Sequence, residues 1–160
     1  MNDARGNDWL ADRARKVMIE NGFEPDFSSA AIEQAMQIDG LIEAVKGEIR
    51  DLRSLRWSSI DNAASRDLDQ VEWAEKLENG DIRVLVGIAD VDSKVEKDSP
   101  IDRRARQNTV TVYTQSAIFP MLPERLSTDI TSLNESEDRV AVVAEMIVKA
   151  NGDVPESTFY

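Results

Sequence analysis

Residues 68–90 read LDQVEWAEKLENGDIRVLVGIAD, and this stretch decides the fold class. Val71, Trp73 and Leu77 sit at odd positions ahead of the polar group Glu78-Asn79-Gly80-Asp81, and Ile82, Val84, Val86 and Ile88 then alternate strictly. Side chains on a strand point to opposite faces with a period of two, so the alternation predicts a strand buried on the face of those four residues. An Asn-Gly pair between two such runs is the turn chemistry of a hairpin. Segments 68–77 and 81–90 are therefore expected to pair antiparallel.

Working downstream, Ser99-Pro100 opens a short predicted helix, Ile101–Arg106, with proline at its first turn. Thr109–Thr114 is expected as a short β run, and Val140–Val148 is a second long apolar run, ending at the turn Asn151-Gly152. Val154–Tyr160 reads as a further strand, and a sequence stopping on an element that wants a partner is expected to be a fragment of a longer protein. Upstream, residues 8–52 read as helical. Trp9, Leu10, Ala14, Val17 and Met18 recur at helical spacing, with Asn21-Gly22 as a stop. Ser28 or Ser29 can cap a second helix whose stripe is Ala31, Ile32, Ala35 and Met36. Ile42, Val45, Ile49 and Leu52 form a third stripe beyond the break at Asp39-Gly40. These stripes fit either a small cap packed on its own neighbour or a docking surface for another domain. The expected class is α+β: a helical segment, 1–56, then a strand-rich domain, 57–160.

Composition limits the chemistry. The 160 residues contain no cysteine and no histidine. Disulfides, thiolate catalysis, imidazole bases and zinc–sulfur sites are excluded, and the lack of cysteine suits a cytoplasmic protein. A metal here would have oxygen ligands, which favour hard ions such as Mg²⁺, Mn²⁺ or Ca²⁺. No signal-like apolar core opens the sequence, and no apolar run reaches the roughly 18 residues of a membrane span. The net charge of −12 argues against autonomous RNA binding, because nucleic-acid modules carry basic patches.

The chemically suggestive stretch is Ile60–Gln70, IDNAASRDLDQ. Asp67 and Asp69 are two apart and share one face of an extended chain, and Asp61 can return to that face through the loop. Three converging carboxylates repel unless a divalent cation sits between them, an arrangement suited to phosphodiester hydrolysis. The plainer reading is a solvated turn with scattered acids. A calcium loop is rejected: counted from Asp61, Ala63 and Arg66 occupy positions that need an oxygen ligand and a glycine.

Ser59–Gln70 resembles the acidic motif of the RNB, or ribonuclease II-type, exoribonucleases. Val86–Val91 (VGIADV), Pro100–Ala105 (PIDRRA), Val112-Tyr113, Ile118–Ser127 (IFPMLPERLS), Ser132-Leu133 and Ala144–Met146 (AEM) resemble further segments of that family, in the same order. The resemblance implies a metal-dependent, processive 3′→5′ hydrolase of single-stranded RNA that releases nucleoside 5′-monophosphates. It implies that Asp61, Asp67, Asp69 and Gln70 bind Mg²⁺, with Mn²⁺ as a substitute, and meet the scissile phosphate. Gln70 departs from the family's usual aspartate, keeping an oxygen ligand but losing a charge. Tyr113 matches an aromatic that contacts the terminal nucleotides, and its bland alternative is a core tyrosine. The resemblance covers about a third of such a catalytic domain, so this chain alone is expected to show little or no exonuclease activity. A non-catalytic binding or regulatory module built on the same fold is the alternative.

Overall fold

The computed structural model describes residues 4–40 and 49–160. Two compact units make up the chain, one of residues 1–39 with 95–125 and one of residues 40–94 with 126–160. The predicted helical segment is thus no unit by itself, because its helices pack with a later part of the chain.

The first unit holds helices α1 (Ala4–Glu20), α2 (Ser29–Gln37) and α3 (Pro100–Asn108), and the two-residue strands β3 (Val112–Tyr113) and β4 (Ile118–Phe119). Local chemistry explains the helix ends. Gly22 (φ 81°) takes the left-handed conformation that terminates α1, and the Phe23 amide returns to the Met18 carbonyl at 2.9 Å. Ser28 caps α2 by accepting from the Ala31 amide at 3.2 Å, and Ser99 caps α3 by accepting from Asp102 at 3.3 Å. The β run expected from Thr109 starts later, because Thr109 is the left-handed cap of α3 (φ 60°). Buried Arg104 holds this unit together. Its guanidinium lies 3.8 Å from the Phe27 ring centroid and donates at 2.8 Å to the carbonyls of Glu24, Pro120 and Met121. Five donors in a planar fork make arginine the side chain able to gather several carbonyls at once.

The apolar stripes of α1 and α2 are only partly covered. Met18, Ala31 and Ala35 are buried, whereas Trp9, Ile32 and Met36 are exposed. Ile42 and Val45 of the third stripe lie outside the described residues. Ile49 and Leu52 are not helical. There the Asp51 carboxylate accepts from the Arg53 amide at 3.1 Å, and this local turn competes with helix.

The second unit is a four-stranded antiparallel sheet in the order β1-β2-β5-β6: Gln70–Lys76, Ile82–Ala89, Ala141–Val148 and Glu156–Phe159. The predicted hairpin forms, with Gln70 opposite Ile88 and Lys76 opposite Ile82. Its buried face is the reverse of the one the alternation predicts. Leu85 is fully buried and Gly87 is buried, while Ile82 and Ile88 remain 43% and 49% exposed. Trp73 lies opposite Leu85 on β1, and Val143 lies opposite Gly87 on β5. Gly87 has no side chain, so Val71 and Trp57 close over it: a Cβ there would stand 3.2 Å from Val71 Cγ2 and 3.8 Å from Trp57. The large aromatic groups thus cover the face carrying Leu85 and Gly87, and they overrule the more regular pattern beside it.

Candidate active site

The acidic loop runs from Asp61 into β1. A turn closes it, with the Ser65 amide on the Asn62 carbonyl at 2.9 Å. Asp67 and Asp69 are expected on a strand, yet they lie in irregular backbone just before β1. Leu68 between them is tied to a distant segment instead: its amide donates to Ser132 Oγ at 3.1 Å and its carbonyl accepts from the Leu133 amide at 2.8 Å. Ser132 Oγ also donates to the Arg66 carbonyl at 3.1 Å, and the Asp69 carbonyl accepts from the Ala89 amide at 2.8 Å. The main chain from 66 to 69 is therefore held at four points although it belongs to no strand. Asp67 is exposed, Leu68 half-buried and Asp69 exposed, the in–out order expected when two carboxylates flank an anchored apolar side chain.

Ser132 is 2% exposed, and its own carbonyl accepts from Arg139 Nε at 3.0 Å. The anchoring role of Ser132 and Leu133 has no local signal. They lie 64 and 65 residues from Leu68, and only their place in the family-like order marked them.

The three aspartates do not assemble as expected. All are exposed, and among the described residues no group of three or more Asp, Glu, His or Cys is placed to hold a metal ion. Like charges in water stand apart and keep their hydration. Gln70 is exposed as well and donates through Nε2 to Glu72 Oε1 at 3.0 Å. The other carboxylate oxygen of Glu72 is buried without a hydrogen-bond partner.

Exposed oxygen donors suit an open site for a hard divalent ion and not a closed cage. Mg²⁺ is commonly held by one or two carboxylates, with water and substrate phosphate completing its shell. Asp67 and Asp69 on a pinned loop offer two exposed carboxylates of that kind.

Tyr113 belongs to the other unit. It sits on β3 opposite Ile118, and its side chain is 62% exposed. The alternative of a core tyrosine does not hold. The β3–β4 turn that presents it is closed by Thr114, whose amide reaches the Ala117 carbonyl at 2.9 Å.

A sequence model described as the RNB domain matches residues 49–160. The chain is 41% identical over 134 residues to ribonuclease R of Escherichia coli, covering 81% of this chain and 16% of that protein. It is 35% identical over 109 residues to exoribonuclease 2 of Salmonella heidelberg, covering 68% of this chain and 17% of the relative. The structure resembles Mycoplasma genitalium RNase R solved with ribose-methylated single-stranded RNA, with a TM-score of 0.81 at 28% identity over 90% of this chain and 22% of that one. The chain thus spans about a sixth of the length of these curated relatives.

Proposed function

Since the chain belongs to the RNB family of exoribonucleases, we propose that it contributes the acidic loop of a metal-dependent 3′→5′ exoribonuclease acting on single-stranded RNA and releasing nucleoside 5′-monophosphates. The observation that carries this reading is the acidic loop itself. By their resemblance Asp61, Asp67, Asp69 and Gln70 would be the residues of the family motif, and the backbone of 66–69 is fixed while Asp67 and Asp69 are exposed.

Asp67 and Asp69 would hold Mg²⁺ or Mn²⁺, with Asp61 and Gln70 as further oxygen donors. Bound there, a divalent ion supplies charge for the scissile phosphate and lowers the pKa of attacking water. The chain's residues position: the anchors at Arg66, Leu68 and Asp69 keep the two carboxylates from drifting, so little ordering remains when phosphate arrives. Tyr113 would stack on a base near the 3′ end. Such stacking tolerates any sequence because every base has a π-face. Gln70 carries no charge, so the site attracts cations less strongly than four aspartates would.

Mn²⁺ titration followed by electron paramagnetic resonance tests the reading. The unmodified chain should bind Mn²⁺, and Asp69→Asn should weaken binding by about 10-fold or more. Equal binding by the chain and by a variant with Asp61, Asp67 and Asp69 all changed to asparagine would refute the site.

A further inference from the structure

We propose that Ser132 is a positioning residue for the carboxylates of Asp67 and Asp69, a role that rests on the acidic-loop reading above. Its hydroxyl bridges the two peptide groups that flank Asp67. Oγ accepts from the Leu68 amide at 3.1 Å, and its single proton is shared between the Arg66 carbonyl at 3.1 Å and Asn134 Oδ1 at 3.2 Å. The next residue completes the clamp, with the Leu133 amide on the Leu68 carbonyl at 2.8 Å. A single buried hydroxyl therefore sets the direction of the main chain on both sides of one acid, and the Leu68 bonds fix the approach to the other.

The latch is itself anchored. Ser132 is 2% exposed, its carbonyl accepts from Arg139 Nε at 3.0 Å and from the Asn134 amide at 2.8 Å, and Thr131 beside it bonds the Leu126 carbonyl through Oγ1 at 2.8 Å. Segment 131–134 thus acts as a rigid template against which the loop is laid. The chemistry fits a small hydroxyl side chain: one buried oxygen must both accept from an N–H and donate to a C=O. Alanine would remove both bonds and free the loop to move. Residues that orient ligating carboxylates affect metal affinity by about 10- to 100-fold when removed.

Amide hydrogen exchange and Mn²⁺ binding test this together. In the unmodified chain the Leu68 amide should be protected although it lies outside the sheet; fast exchange there would overturn the proposal without any variant being made. In Ser132→Ala the Leu68 amide should exchange at least about 10-fold faster while Leu85, in the sheet, keeps its protection, and Mn²⁺ affinity should fall about 10-fold. A purely structural serine would lower the melting temperature yet leave the folded protein's Mn²⁺ affinity unchanged, and that result also overturns the proposal. Asp69→Asn separates the two levels. Loss of binding in Asp69→Asn with none in Ser132→Ala removes the latch and keeps the site, whereas unchanged binding in both removes the site and the latch with it.

Discussion

Replacing Leu85 by alanine tests which face of the sheet forms the core. Leu85 is fully buried at the centre of β2, opposite Trp73 on one side and Glu145 on the other, and Val143 is buried on the same face. Truncating a buried leucine loses the transfer energy of three carbons and leaves a cavity, about 2–5 kcal/mol in total. Paired strands on both sides limit how far the backbone can collapse into the gap, which places Leu85 toward the upper part of that range. For a domain of this size the melting temperature should fall by roughly 5–15 °C. Ile88 lies on the opposite face of the same strand and is 49% exposed, so Ile88→Ala forfeits about half of a buried side chain's contribution, about 1 kcal/mol. Urea denaturation of both variants, followed by circular dichroism, gives the comparison, with an unchanged slope confirming that the transition itself is the same. An Ile88→Ala variant as unstable as Leu85→Ala would refute the assignment of the buried face and restore the one read from the alternation.

Two further outcomes are expected. The Glu145 carboxyl is held below its ordinary range first by the hydrogen bond from Arg83 Nε at 2.8 Å, against a smaller opposing effect of burial, with the Tyr160 hydroxyl donating at 2.9 Å. A carboxyl with a depressed folded-state pKa stabilises the fold above its unfolded pKa, and this contribution fades as pH falls through the folded value. Glu145→Gln should therefore flatten the acid side of the stability–pH curve measured by urea denaturation, and a curve of unchanged steepness would count against the Arg83–Glu145 pair as its source. Tyr113→Ala should weaken single-stranded RNA binding in fluorescence anisotropy by about 1–3 kcal/mol while leaving the melting temperature nearly unchanged, because the side chain is mostly exposed; loss of stability without loss of binding would return Tyr113 to a structural role.

The sequence by itself determined whatever depends on neighbours along the chain. The hairpin turn at Asn79-Gly80, the helix starts near Ser28 and Ser99, the stop at Gly22, the apolar run that becomes strand 141–148 and the strand 156–159 all follow from local chemistry. The family, too, was legible, because ordered motifs survive in the sequence whatever the chain does in space. Only the tertiary structure decided which face of β2 is covered, since Ile82, Val84, Val86 and Ile88 make the better pattern but Trp57 and Trp73 arrive over the other side. The same holds at the acidic loop: a period of two can align Asp67 with Asp69, but it carries no information about a serine 64 residues away whose hydroxyl bonds the backbone between them. Burial and hydrogen-bond partnership are properties of contacts distant in sequence, and those exist only once the chain has folded.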